Sequence, residues 1–302
     1  MRLTQILYGS QKSPALVVWS EKAGGWLDVA ALTNRASQTT LASVLRGESD
    51  LSLNAIREAL SAYEASNSPS LAVISLDASD VRFQPLLDSS SKILCVGLNY
   101  ADHAKEFGDD LPSEPVIFCK ASSALSCAGA DIVLPSSSRR VDYEGELVVV
   151  VGKRCKDVAE SEALNYVAGY ACGNDVSARD WQKGKPAGQW FLGKSFDTFA
   201  PIGPWMVTAD EVGNPNALKI ESRLNGKTMQ SSSTTRFIFK VERLLSYLSQ
   251  VMTLEPGDLI FTGTPDGVGD VRQPAVYLED ADEFCVEIEK LGVLRNSVRR
   301  PA

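Results

Sequence analysis

Short apolar runs bounded by polar and turn-forming residues predict strands along most of the chain. Near the start these runs are RLTQILYG and PALVVWS, and after residue 90 they include KILCVGL, PVIFCK, DIVLP, ELVVVVG, GDLIFTG and FCVEIEKLGVL. Asn225-Gly226 in LKIESRLNGKTMQSS is a typical two-residue hairpin turn. The pattern predicts a mostly-β protein.

Helical periodicity occurs in fewer places. In SLNAIREALSAYEAS, the residues Ile56, Leu60 and Tyr63 fall on one face of a helix. We predict further helices in YADHAKEFG, ESEALNYVAGYA and FKVERLLSYLSQV. Strands and helices do not alternate as in a Rossmann fold or a β/α barrel, so the expected fold class is α+β, mostly β.

Two polar stretches divide the chain. SNSPS and LLDSSSK (residues 86–92) read as connecting segments, and we place a domain boundary at the second. Residues 1–90 would form a small N-terminal α/β module and residues 91–302 a larger domain. With 302 residues, the chain can bury a sizeable core in either arrangement.

The charge and the apolar runs of the sequence limit the expected binding partners and the expected cellular location of the protein. The net charge is -8, and no Lys/Arg run is longer than the pairs Arg139-Arg140 and Arg299-Arg300. Nucleic acids and anionic membranes are therefore excluded as expected partners. The longest aliphatic run is only Leu147 to Val151, and the first residues lack the apolar segment of a signal peptide. We expect a cytoplasmic protein.

Cysteine and histidine usage limits the metal chemistry. The six cysteines show no CxxC pair, which favours free thiols over disulfides or a zinc site. His103 is the single histidine, so multi-histidine metal sites are excluded.

One segment fits the sequence pattern of a phosphate-binding loop but lacks the residues that such a loop needs. GQWFLGKS, at residues 188–195, fits the P-loop pattern GxxxxGK[ST]. A phosphate-binding loop needs small residues between its glycines, whereas Trp190, Phe191 and Leu192 stand there. We do not expect nucleotide binding.

The segment DYEGELVVVV places two glutamates at the head of a buried strand. Glu144 and Glu146 share one face of that strand because side chains alternate. Closely placed carboxylates without histidine or thiolate neighbours suit Mg²⁺, Mn²⁺ or Ca²⁺, although a solvated strand end is the alternative. A third carboxylate would come from GNDVSARD, either Asp175 after a helix ending near Ala171 or Asp180.

His103 stands three residues before Glu106 in NYADHAKEFG. On a helix the two share a face, so the carboxylate can orient the imidazole and raise its basicity. An incidental His/Glu pair on a surface helix is the alternative reading.

Taken together, the motifs resemble those of the fumarylacetoacetate hydrolase (FAH) family. The similar segments are GLNYADHAKEFG, VDYEGELVVVVGKR, GNDVSARDWQ, LGKSFDTFAPIGPW, LNGKTMQSS and PGDLIFTGTPDGVG, in that order over about residues 91–298. The whole pattern is most similar to the domain-containing protein 2 branch, in which a small N-terminal module precedes the catalytic domain.

The resemblance implies an FAH-type mixed β-roll catalytic domain, usually a homodimer, that binds Mg²⁺, or else Mn²⁺ or Ca²⁺. It implies that the metal ligands are Glu144, Glu146 and Asp175, that the catalytic residues are His103, Glu106 and Lys194, with His103 and Glu106 on a lid, and that the substrate-binding residues are Arg179, Gln182 and Thr264.

For function, the resemblance implies a small anionic 2-oxo acid as the substrate. Our first hypothesis is a divalent-metal-dependent hydrolase that cleaves a C–C bond of an acylpyruvate-like 2-oxo acid through an enolate held by the cation. The alternative is an oxaloacetate keto–enol tautomerase, or a decarboxylase, that uses the same residues. A non-catalytic cation-binding protein is the second alternative, which His103 and Lys194 argue against, because a structural cation needs neither.

Overall fold

In a computed structural model of the protein, the structure describes residues 1–10, 13–35, 39–66, 71–88, 92–101 and 111–301. The strands are β1 (Arg2–Leu7), β2 (Ala15–Ser20), β3 (Gly25–Asp28), β4 (Arg82–Gln84), β5 (Ile93–Gly97), β6 (Val116–Lys120), β7 (Leu125–Cys127), β8 (Ile132–Val133), β9 (Val141–Asp142), β10 (Gly145–Val151), β11 (Val167–Asn174), β12 (Ser177–Ala178), β13 (Ala200–Thr208), β14 (Lys219–Leu224), β15 (Lys227–Ser233), β16 (Leu259–Phe261), β17 (Glu283–Ile288) and β18 (Gly292–Arg299).

The described residues form fewer helices than strands. The α-helices are α1 (Val29–Thr33), α2 (Leu41–Arg46), α3 (Leu53–Ala65), α4 (Arg179–Gln182), α5 (Trp190–Lys194), α6 (Ala209–Val212) and α7 (Val241–Val251), and the 3₁₀ segments are Ser122–Ala124, Glu160–Tyr166, Thr234–Arg236 and Gly269–Val271. The prediction of an α+β, mostly-β fold is confirmed.

The strands form two main sheets. The larger sheet has the order β3-β2-β1-β13-β11-β10-β16-β5-β6, with β4 added beside β1 and β7 beside β13. It is mixed, because β5 runs parallel to β16 and β7 runs parallel to β13. The second sheet has the order β15-β14-β17-β18-β8, and the short strands β9 and β12 pair with each other.

Local sequence accounts for several of these elements. In α3 the buried residues are Ile56, Leu60 and Tyr63, as the periodicity predicts, and the Ser52 side chain caps the helix by accepting a hydrogen bond from the Ala55 N–H. Asn225 and Gly226 both have positive φ angles, of 51° and 78°, which is the turn geometry expected between β14 and β15. The helix predicted in FKVERLLSYLSQV is α7.

The prediction of a helix in ESEALNYVAGYA is wrong. Glu160–Tyr166 forms a 3₁₀ segment, and the following residues form β11, whose side chains are all buried. β11 lies between β10 and β13 in the sheet and is buried on both faces, so its apolar residues do not alternate with polar ones. Asp175 therefore follows a strand instead of a helix.

The N-terminal residues join the large sheet directly. β1 pairs with β13 through Arg2↔Val207 and Leu3↔Met206, so the sheet continues across the expected boundary. Leu86 and Leu87, in the segment read as a linker, are buried. The division at residue 90 stays a prediction.

All six cysteines are free, and Cys119 alone among them is exposed. Within the described ranges we found no helix that is long and apolar enough to cross a membrane.

Candidate metal centre and substrate pocket

Three carboxylates meet where β10 and β11 lie side by side. Glu144, Glu146 and Asp175 each place an oxygen within 4.8 Å of those of the other two. Their side chains are 7%, 1% and 0% exposed. Buried carboxylates need compensation by opposite charge, and an all-oxygen donor set is the one that Mg²⁺, Mn²⁺ and Ca²⁺ prefer. The residues therefore fit a divalent cation.

The pairing of β10 with β11 creates this arrangement. Gly145 lies opposite Asn174, and the Asn174 side chain accepts a hydrogen bond of 3.0 Å from the Glu144 N–H. The Asp175 N–H in turn donates to the Glu144 carbonyl at 2.9 Å. Gly173 allows the close approach, because a Cβ there would lie 2.4 Å from the Val148 side chain. The backbone thus holds the ligand-bearing residues in register.

The surroundings of Glu146 strongly perturb its carboxyl. Burial raises the pKa of its carboxyl well above the usual value, and the nearby charges of Asp175 and Glu144 raise it further. The Gly263 N–H donates to Glu146 Oε2 at 2.7 Å. Gly263 has a φ of 97°, a conformation that favours glycine. The Gly263 N–H and the charge of Lys194 favour the ionised carboxylate, and a cation would offset the remaining electrostatic cost.

Lys194, at the end of α5, lies between two of the carboxylates. Its Nζ is 2.9 Å from Glu144 Oε2 and 2.6 Å from Asp175 Oδ2. Burial by itself lowers the pKa of this ammonium, but the charges of Asp175 and Glu144 outweigh burial and raise it. Lys194 therefore remains a cation beside the triad.

Lys120 is a second buried lysine at the triad, which the sequence patterns did not single out. Its Nζ forms an ion pair with Asp175 Oδ1 and donates to the Val176 carbonyl at 3.1 Å. Burial lowers the pKa of this ammonium, against the opposing charge of Asp175. The two Asp175 oxygens therefore contact two different lysines. Only long-range pairing of strands reveals this, since Lys120 stands 55 residues before Asp175.

Arg179 and Gln182 lie on the short helix α4. The Arg179 guanidinium donates from Nη1 to Gln182 Oε1 at 2.8 Å, and its Nη2 lies 2.8 Å from Glu144 Oε1. Asp142 holds the other side, accepting from Arg179 Nε at 2.8 Å. Burial lowers the pKa of the guanidinium, but Asp142 and Glu144 together raise it above its ordinary value. Asp142 is a second residue that sequence reasoning missed.

Thr264 is fixed by Gln230, which lies in the motif LNGKTMQSS but had no predicted role. Gln230 Nε2 donates to Thr264 Oγ1 at 2.7 Å and to the Pro265 carbonyl at 2.9 Å. Its Oε1 accepts from the Gly145 N–H at 2.9 Å and from Ser222 Oγ at 2.8 Å. Gln230 thus connects the strand of the glutamate pair to the segment that carries Thr264.

A cavity of about 130 Å³ opens beside the triad. Its polar lining consists of Glu144, Arg179, Gln182, Lys183, Lys194 and Thr264. Its apolar wall includes Phe118 and Trp190, whose rings pack edge to face with centroids 5.3 Å apart. Gly97 permits this wall, because a Cβ there would lie 2.9 Å from the Trp190 ring. The pocket combines an anion-binding side with an apolar side.

Other predicted residues fall elsewhere. Asp180, the competing third carboxylate, accepts hydrogen bonds from Ser138 Oγ and from the Arg139 N–H and is not part of the triad. The predicted dyad of His103 and Glu106, with the helix predicted around it, lies outside the described residues. Trp190–Lys194, within the formal P-loop match, is helix α5 instead of a phosphate-binding loop.

Residues 92–299 match the family described as fumarylacetoacetate (FAA) hydrolase C-terminal. A Dictyostelium discoideum protein named fumarylacetoacetate hydrolase domain-containing protein 2 homolog is 52% identical over 217 residues, which cover 69% of this chain and 71% of that protein. A Bos taurus protein named oxaloacetate tautomerase FAHD2A, mitochondrial, is 44% identical over 298 residues, covering 99% of this chain and 91% of its own. The predicted resemblance, including the branch, is confirmed.

A solved structure shares the fold. The crystal structure of fumarylpyruvate hydrolase from Pseudomonas aeruginosa in complex with Mn²⁺ and pyruvate is 37% identical, with a TM-score of 0.64, covering 70% of this chain and 90% of that one. That protein binds a divalent cation together with a 2-oxo acid.

The comparisons also correct one expectation. The sequence led us to expect a cytoplasmic protein, but the Bos taurus relative, which is similar along nearly the whole chain, is named as mitochondrial. The cytoplasmic prediction is therefore wrong. It rested on the short aliphatic runs and on the residues at the start of the chain, and neither feature distinguishes the cytoplasm from another compartment.

Proposed function

The chain belongs to the fumarylacetoacetate hydrolase family, and we propose that it is a divalent-cation-dependent oxaloacetate keto–enol tautomerase. The observation that carries this proposal is its 44% identity to the Bos taurus oxaloacetate tautomerase along 99% of the chain. The sequence alone placed hydrolysis first and tautomerisation second. The relatives favour the second.

The charges of the pocket support a dicarboxylic substrate. Three cationic side chains, Arg179, Lys183 and Lys194, and one carboxylate, Glu144, line the cavity. Oxaloacetate carries two carboxylates, and a site with several cations favours a dianion over a monoanion. Gln182 and Thr264 add polar groups that orient the substrate by hydrogen bonding.

The reaction moves one proton and changes no oxidation state. In ketonisation the enol O–H loses its proton, the C2–O bond becomes a carbonyl, and C3 gains a proton. Negative charge develops on the 2-oxygen between these events. The Lys194 ammonium is the side chain best placed to stabilise it, because it is buried and lines the pocket beside the triad. A divalent cation held by Glu144, Glu146 and Asp175 would supply further Lewis-acid stabilisation of that charge.

We propose His103 as the group that moves the proton, with Glu106 orienting it, on the sequence resemblance alone. A histidine is suited to this role because its ordinary pKa lies near neutral pH, where it can both accept and donate a proton. The homodimer, and the absence of nucleic-acid and membrane partners, stay predictions.

Three assays on one preparation test the proposed function. With Mg²⁺ present, we would measure ketonisation of enol-oxaloacetate, cleavage of acetylpyruvate and fumarylpyruvate, and release of pyruvate from oxaloacetate. Fast ketonisation with intact acylpyruvates is the expected result. His103→Gln should lower ketonisation by about two to four orders of magnitude, a typical share for acid–base catalysis.

Hydrolysis remains a second candidate because the Pseudomonas aeruginosa fumarylpyruvate hydrolase shares 37% identity over 70% of this chain. Rapid acylpyruvate cleavage, with ketonisation no faster than in buffer containing Mg²⁺, would refute the tautomerase proposal in favour of the hydrolase. Equal ketonisation by His103→Gln and the unchanged protein would refute the role of His103.

A further inference from the structure

Lys120 is a buried cation that touches the triad without lining the pocket. It ends β6, and its side chain contacts Asp175 Oδ1 and the Val176 carbonyl. The next residue, Ala121, donates its N–H to Ser195 Oγ at 2.9 Å. Because Ser195 follows Lys194 in the sequence, this bond holds the end of β6 close to Lys194. Lys120 can therefore affect a substrate only by positioning Asp175 or through the positive charge of its own ammonium.

The contacts around Asp175 define a cluster whose charge can be counted among the described residues. Its carboxylates are Glu144, Glu146, Asp175 and Asp142, and its cations are Arg179, Lys194 and Lys120. With all four carboxylates ionised, as a bound divalent cation favours, four negative and three positive groups together with the cation give one net positive charge. Without Lys120, the cation-loaded cluster would be neutral.

We propose that Lys120 is a positioning residue that sets this charge balance: its ammonium compensates Asp175 and thereby exchanges cation affinity for affinity towards an anionic substrate. A fixed ammonium beside a ligand repels a divalent cation, so Lys120 weakens cation binding. The same charge attracts a carboxylate and stabilises the negative charge of an enolate. Lys120 and Asp175 form a direct ion pair in a buried environment, where charge interactions are strong.

The two consequences have opposite signs, and this separates the proposal from a structural role. Lys120→Met should bind Mn²⁺ about tenfold or more tightly, because the cation then has no buried competitor at Asp175. The Mn²⁺-loaded variant should bind oxalate about tenfold or more weakly. A residue that only oriented Asp175 would weaken both affinities when removed.

Calorimetric titration measures both quantities. Mn²⁺ is titrated into metal-free protein, and oxalate is then titrated into protein loaded with one equivalent of Mn²⁺. Lys120→Gln, which keeps a hydrogen-bond donor but lacks the charge, should behave like Lys120→Met, and Lys120→Arg should stay closer to the original protein. Lys92→Met is the matched control, since Lys92 pairs with the buried Asp258 outside the site and should change neither affinity.

Weaker Mn²⁺ binding by Lys120→Met, or unchanged oxalate binding, would overturn the proposal. Failure of both Lys120→Met and Lys120→Gln to fold in Mn²⁺, while Lys92→Met folds, would assign Lys120 to fold stability and overturn it too. The inference rests on the proposed function only in expecting an anionic 2-oxo acid. The two titrations do not depend on the reaction, so a failed tautomerase assay and a failed charge balance are distinguishable.

Discussion

Glu146→Gln should have opposite effects on stability with and without a divalent cation. Burial and two neighbouring carboxylates hold the pKa of Glu146 well above 4.5 in the metal-free protein. Above pH 4.5 the unfolded chain has lost the Glu146 proton, whereas the folded chain still holds it. The free energy of unfolding therefore falls as the pH rises from there through the folded-state pKa. Glutamine carries no charge, so the metal-free variant should be more stable than the original protein at neutral pH.

With a cation present, the order should reverse. Attraction between a divalent cation and one carboxylate about 4 Å away is ~8 kcal/mol at an effective dielectric constant of 20. The free-energy cost of ionising the buried Glu146 offsets part of this attraction. If the variant loses ~2.7 kcal/mol of cation-binding free energy, its dissociation constant is about 100-fold larger. At a concentration 100 times the original dissociation constant, the cation stabilises the original protein by ~2.7 kcal/mol and the variant by only ~0.4 kcal/mol.

Thermal unfolding at pH 7 measures both effects. At roughly 2–4 °C per kcal/mol, Mn²⁺ should raise the Tm of the original protein by about 5–10 °C and that of Glu146→Gln by about 1–2 °C. Glu287→Gln, at an exposed position of β17, is the control and should respond like the original protein. An equal rise in Tm for both proteins would refute the ligand role of Glu146. A metal-free variant less stable than the original protein would refute the pKa argument.

Two further substitutions test the substrate pocket. Lys194→Met should lower kcat by a larger factor than it weakens oxalate binding to the Mn²⁺-loaded protein, because the ammonium acts mainly on charge that develops during the reaction; equal factors would make Lys194 an anchor only. Gln230→Met should lower the free energy of unfolding by about 2–5 kcal/mol in urea titrations, since it leaves the buried Gly145 N–H and Pro265 carbonyl without their partner. The exposed Gln250→Met is its control, and a loss below about 1 kcal/mol would contradict the bonding role of Gln230.

Features that depend on short spacings follow from the amino-acid sequence alone. The i, i+2 spacing of Glu144 and Glu146 put them on one face of a strand, the period of Ile56, Leu60 and Tyr63 predicted α3, and Asn225-Gly226 predicted a hairpin. These three predictions are correct because strand alternation, helical period and turn conformation are set by neighbouring residues. The family resemblance extended them to Asp175.

Contacts between residues far apart along the chain depend on how the strands pair and pack in the folded protein. Val167–Asn174 is a strand because β10 and β13 pair with it on both sides, which overrides a helix-like pattern. Lys120 and Gln230 carry no local pattern that marks them, and each acquires its role by contacting residues far along the chain. Burial then gives these contacts their strength, because charges and hydrogen bonds removed from water must be satisfied by one another.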